Sequence, residues 1–146
     1  MNLEMIFSLA SIIAIIGWLL LLASPLIPQM SDKIAGLIIP LGLSAGYLYL
    51  LVFNQADGGG GYDSLASVMT LFSQEQAVLA GWVHFLAFDL FIGAWVCRTA
   101  RNEGIKFLLV IPCLFLTFLF GPIGFLIFQA LRYSANVLSQ RRRQPN

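Results

Sequence analysis

The chain has 146 residues, 59% of them hydrophobic and 10% charged, with a net charge of +1 and a mean hydropathy of +0.86. A water-facing globule, in which charged residues make up about a quarter of the chain, cannot be covered by so few polar side chains, so the composition points to one integral membrane domain. The single histidine excludes the histidine-rich di-iron membrane oxygenases, no metal site is expected, and the lack of a basic face excludes a nucleic-acid partner.

The first predicted span covers residues 5–23, about 28 Å of helix, enough for the hydrocarbon core. No basic leader, cleavage site or transit peptide precedes it. The expectation is therefore a bacterial, multi-pass protein of the inner (plasma) membrane, inserted through its own first helix. Pro25 and Pro28 end that span, and Ser31 or Asp32 is expected to cap the next. The second span, 34–53, contains Pro40 and a Gly42/Gly46 pair whose spacing suits either a close helix partner or ordinary membrane-helix composition.

A polar stretch follows from Asn54 to Gln76. Gly58 to Gly61 predict a hinge or disordered turn. Asp63 or Ser64 then caps a short helix whose apolar residues Leu65, Val68, Met69 and Phe72 recur at helical spacing. Such a helix lies along the membrane surface or covers a site. Ser73 and Gln76 predict a capping box at the start of the third span, 76–97, after which come Arg98, Arg101 and a turn at Asn102-Glu103-Gly104. Cys97 and Cys113 share no motif spacing and read as small apolar residues.

The last apolar stretch, 107–131, is about 37 Å long if helical. With Pro112, Gly121 and Pro122 inside it, one kinked span is expected, followed by a basic tail, 132–146. The fold class is thus an all-α, four-transmembrane-helix bundle with a short interfacial helix between spans two and three. Four crossings put Lys33, Arg98, Arg101 and Lys106 on one face and Arg132, Arg141, Arg142 and Arg143 on the other, a tie under the positive-inside rule. A re-entrant turn at Gly121-Pro122 is the minority alternative, and it would gather all eight on one face.

The third span holds the chain's only histidine, His84, and its one deep carboxylate, Asp89. An ionisable side chain at such depth costs about 2.5–3.5 kcal/mol on insertion scales, so it is retained for a partner or a function. Five residues apart, the two point about 140° from each other, with about 7.5 Å between their depths. They cannot pair on their own helix, so each has a partner elsewhere or both border one groove. His84, about two turns in, reads first as an interface histidine, whereas Asp89, about four turns in, reads first as functional. The bland alternative for Asp89 is a neutral carboxyl donating across the bundle. Gly93, one turn on, leaves room for a helix or a ligand. Trp82 and Trp95 fit aromatic-belt positions, and the late-chain phenylalanines, Phe85, Phe88 and Phe118 among them, line a slot or face lipid.

Residues Leu65 to Phe72, followed by Gly81-Trp82-Val83-His84-Phe85-Leu86-Ala87-Phe88-Asp89-Leu90-Phe91-Ile92-Gly93, resemble the plant abscisic-acid-deficient membrane protein family, implicated in forming neoxanthin. Pro112-Cys113-Leu114-Phe115-Leu116-Thr117-Phe118-Leu119-Phe120-Gly121-Pro122-Ile123-Gly124 looks like that family's second signature. The resemblance implies a four-span bundle with functional positions at His84, Asp89 and Arg98. It also implies chemistry on a carotenoid or related isoprenoid in the bilayer, with Trp82, Phe85, Phe88, Gly93, Arg98, Phe118, Gly121 and Pro122 around the substrate. Forming an allene from an epoxide needs one acid and one base, roles that Asp89 and His84 would fill in either order, without a redox cofactor. Two further readings stand beside this isomerase: a non-catalytic pigment-binding or accessory protein and, more weakly, a small-solute transporter.

Overall fold

The computed structural model describes residues 2–53 and 58–143, with side chains as far as Val137. Residues 54–57 of the polar stretch and 144–146 of the basic tail, both included in the expectations above, lie outside the described residues. All the described elements are helical. Three helices are long and apolar enough to cross a membrane: Leu3–Leu22, Pro28–Phe53 and Glu75–Asn102.

Helix α1 (Leu3–Leu22) starts where the Asn2 side chain accepts the Glu4 N–H at 3.1 Å. Its buried stripe, Ala10, Ala14, Gly17, Trp18 and Leu21, keeps helical spacing and is narrow at its centre. Lipid tails are as apolar as these side chains, so burial from water does not drive the contact. Close approach and van der Waals packing hold it instead. A Cβ on Gly17 would stand 2.5 Å from the Leu90 side chain, so α1 closes on its neighbour through that glycine.

The second crossing begins earlier than expected. Pro28, preset for a first helical turn, opens α2 (Pro28–Lys33), so Ser31 lies inside the helix and caps nothing. Its hydroxyl is buried and has no hydrogen-bond partner among the described residues. A π-helical turn, Ile34–Ile38, leads into α3 (Ile39–Phe53). Pro40 explains the wide turn: it cannot donate to the Gly36 carbonyl, and its ring needs the space a normal α-turn would deny it. Gly42 and Gly46 face away from the bundle, since a Cβ on either would meet nothing within 4 Å. The pair therefore packs no helix of this chain.

Helix α4 (Leu65–Leu71) is capped by the Ser64 hydroxyl, which accepts the Ser67 N–H at 3.2 Å. The glycine run before it is not a free hinge. Gln74 accepts from the Gly58 N–H and donates to the Gly59 carbonyl, both at 2.8 Å, and Gly61 N–H reaches the Ser67 carbonyl. Gly60, at φ +93°, lies against the α4 backbone where a Cβ would stand 2.5 Å from the Leu71 nitrogen. The expected capping box is replaced as well: Ser73 donates to the Thr70 carbonyl at 2.7 Å and Gln74 takes the N-cap position. Gln76 is left to another role.

Helix α5 (Glu75–Asn102) is about 42 Å long and lies at the centre, against α1 on one side, α3 on another and the last two helices on a third. It runs past the expected boundary at Cys97, so Arg98 and Arg101 are helical, and Arg101 pairs with Asp32 of α2.

The final apolar stretch departs most from expectation. Instead of one kinked span it forms α6 (Phe107–Phe120) and α7 (Pro122–Arg143), broken at Gly121. Gly121 has φ +42° and ψ −89°, a conformation closed to residues with a Cβ. The chain reverses there. Gly124 packs so tightly on α6 that a Cβ would overlap the Thr117 nitrogen and hydroxyl. Further along α7, Phe125 and Phe128 lie on Trp95, and Arg132 returns to Glu103 with Nε–O distances of 2.7 and 2.8 Å. That bidentate guanidinium holds the Glu103 carboxyl below its ordinary range. A straight helix would carry Arg132 about 37 Å from the start of α6. The segment is a helical hairpin whose tip reaches the middle of α5.

Candidate functional site

Asp89 stands midway along α5, about 21 Å from either end. Its residue is 7% exposed, and Oδ2 is buried with no hydrogen-bond partner among the described residues. The hairpin tip rests on this carboxyl: a Cβ on Gly121 would stand 2.7 Å from Asp89 Oδ1. Because the C-terminus of α6 and the N-terminus of α7 meet at the tip, their opposite partial charges largely cancel there. The hairpin encloses the carboxyl without supplying a charge or a donor to match it.

On its other side Asp89 borders a hollow of about 270 Å³ between α1, α5 and α6. Ala14, Ile15 and Trp18 of α1, Trp82 and Phe85 of α5, and Phe118 and Leu119 of α6 line its walls. Trp18 and Phe118 meet edge to face with centroids 5.4 Å apart. The Trp82 indole N–H donates to the Ser11 hydroxyl at 3.1 Å, so that donor is already engaged. Among the described residues of this lining, Asp89 alone carries an ionisable side chain, and the two other polar side chains, Trp82 and Ser11, are bonded to each other.

The expected site residues divide among several places. Trp82, Phe85 and Phe118 share the hollow with Asp89, and Gly121 closes it from the hairpin side. Pro122 begins α7 beside that tip and is exposed. The notch at Gly93 is filled by Trp18 and Leu21 of α1, so the room it leaves belongs to a helix and not to a ligand. A Gly93→Val chain should push α1 off α5 and lose about 1–3 kcal/mol, read as a lower melting temperature in detergent micelles. Gly42→Val, in open space, should change nothing by the same measurement. Arg98 lies nine residues beyond Asp89, near Gly36 and the wide turn before α3, and does not reach the hollow.

His84 is on the far side of α5. It stacks on Phe88 with centroids 4.7 Å apart, meets the Tyr47 edge at 5.4 Å, and borders a separate hollow beneath α4. Phe88 faces the crease between α3 and α5, with Leu41 and Phe91. The two polar groups of α5 therefore do not share one groove, as their angular separation on the helix allowed but did not require.

Sequence reasoning missed Trp18 and Ser11. Trp18 lies no deeper in its span than Trp82 does, so it too reads as a belt residue and nothing in the sequence sets it apart. Ser11 gives no signal until Trp82 is seen to reach it.

No curated protein and no solved structure matches the chain. The model of one family does match, that of the ABA DEFICIENT 4-like proteins, over residues 5–128. That range takes in α1, the central helix with Asp89, and the hairpin as far as the Phe128 contact with Trp95, and on this ground the chain belongs to the ABA DEFICIENT 4-like family.

Proposed function

We propose that the chain takes an elongated isoprenoid of the carotenoid class from the bilayer into the hollow beside Asp89 and isomerises it by acid–base chemistry. The observation that carries this reading is a carboxyl shut away from solvent, with Oδ2 unpartnered, facing a space otherwise walled by tryptophan, phenylalanine and aliphatic side chains and the Ser11 hydroxyl that Trp82 engages. A buried polar atom without a partner is costly. A wholly hydrocarbon ligand would leave it so, whereas a ligand with an epoxide or hydroxyl oxygen on an apolar body would satisfy it.

Because His84 borders another hollow, the acid and the base are both Asp89. The protonated carboxyl gives its proton to the epoxide oxygen as one ring C–O bond breaks. The carboxylate so formed removes the proton from the neighbouring carbon, and that C–H electron pair becomes the new double bond of the allene. Substrate and product are isomers, the carboxyl is regenerated, and no redox partner enters. The reading places the chain as a multi-pass protein of the inner membrane, with α4 along the membrane surface.

A second reading has its own support. No second titratable side chain among the described residues lines the Asp89 hollow, an arrangement suited to holding a pigment for a partner enzyme. Expression in carotenoid-producing cells separates the two. The catalytic reading expects a changed pigment profile that Asp89→Asn abolishes and His84→Ala preserves. An unchanged profile with pigment co-purifying on the chain supports the accessory reading, and a pigment change that survives Asp89→Asn defeats the catalytic one.

A further inference from the structure

The hollow beneath α4 takes no part in the function proposed for Asp89, and it has a chemistry of its own. It measures about 410 Å³, within the range of roughly 300–1,000 Å³ found for small-molecule sites. Tyr47, Tyr62, Phe72 and His84 give it aromatic walls, with Gln76 and Leu71 beside them. No described lysine, arginine, aspartate or glutamate lines it. A phosphate head would find no cation there, and an ammonium head no anion.

What the walls do offer is hydrogen-bond donors: two phenol O–H groups, a carboxamide NH2 and an imidazole N–H. No described residue hydrogen-bonds to the ring nitrogens of His84 or to the Gln76 carboxamide, and the replaced capping box left Gln76 free for this. Flat aromatic walls with several donors suit a flat, uncharged ring bearing carbonyl oxygens.

A second cleft lies farther along the same crease, beyond the His84–Phe88 stack. Ser44 lies one turn from Tyr47 on α3, and Phe88 one turn from His84 on α5. There this almost wholly apolar cleft of about 200 Å³ begins, bordered by Pro40, Leu41, Phe88 and Phe91. From Gln76 to Phe91 the two cover about 22 Å along α5. The upper part fits a ring and the lower part a hydrocarbon chain.

We infer that the crease between α3 and α5, roofed by α4, binds a prenylated quinone, with the quinone ring among Tyr47, Tyr62, His84 and Gln76 and the tail on Phe88 and Phe91. This site is independent of Asp89. The probe is decylubiquinone, a benzoquinone with a ten-carbon tail, added to the purified full chain in detergent micelles, and the quinone retained after gel filtration is measured by absorbance. Wild type should retain about one equivalent, and decan-1-ol in equal amount should not displace it. His84→Phe and Gln76→Leu should each weaken retention at least tenfold, and Asp89→Asn should leave it unchanged. Displacement by decan-1-ol, no retention by wild type, or full retention by folded Gln76→Leu would each overturn the site. Loss of retention in Asp89→Asn alone would place the quinone in the other hollow, which also defeats it.

Discussion

A Gly121→Ala chain is expected to be clearly less stable than the wild type. Two separate effects act at that position. The backbone at φ +42° and ψ −89° is strained for any residue with a Cβ, a cost of about 1–3 kcal/mol. The added methyl would also stand 2.7 Å from Asp89 Oδ1 and 3.2 Å from Oδ2, inside van der Waals contact. The carboxyl is the end of a flexible side chain that borders the hollow, so it can move aside and the collision is the smaller of the two costs. Thermal unfolding in micelles should show the loss, and a double-mutant cycle should divide it. In an Asp89→Ala background the same Gly121→Ala change should cost less, because the collision is gone while the backbone strain remains. Equal costs in both backgrounds would mean that the tip does not rest on Asp89. A cost near zero in either would mean that the reversal at Gly121 is absent.

That contact also shows how far residues alone could lead. The three long spans were legible because runs of apolar side chains of the right length have few other homes. Helix α4 was legible from four apolar positions and the Ser64 cap. The carboxyl's isolation was legible too, since one aspartate in the middle of an apolar helix stands out against everything around it. The hairpin was not. Twenty-five apolar residues look alike whether they cross once or turn back, and glycine followed by proline kinks a helix as readily as it reverses one. What decides is tertiary: Gly124 fitting against Thr117, and Glu103 waiting for Arg132. Gly58 to Gly61 misled for a related reason. Their composition is that of a flexible linker, but a single distant side chain, Gln74, holds two of them in place. The relation of His84 to Asp89 was half legible: their angle on the wheel was right, and only the neighbours of α5 could show that each faces a different hollow.

The hairpin settles a tie in the charges and so leads to a second large effect, the sidedness of the chain. Arg101 pairs with Asp32 at one end of α5, and Arg132 with Glu103 at that same end. Lys33, Arg98 and Lys106 are there as well, and the backbone of Arg141, Arg142 and Arg143 continues outward from Arg132 along α7. The opposite end has Glu4 and Glu75 facing one hollow, with Asp63 before α4, and no described lysine or arginine. Eight cations against none is a strong bias, and the positive-inside rule assigns the hairpin base to the cytoplasmic face. Three crossings then put Tyr62 outside and Tyr133 inside, whereas four crossings would put both on one side. Each tyrosine is well exposed, at 80% and 73%, so a cysteine at either position should react freely. In a Cys97→Ala, Cys113→Ala background, a membrane-impermeant maleimide on intact cells should label Tyr62→Cys and spare Tyr133→Cys until the membrane is opened. Labelling of both on intact cells would restore the fourth crossing and remove the hairpin from Asp89. Labelling of Tyr133→Cys alone would keep the hairpin and reverse its direction, against the charge bias.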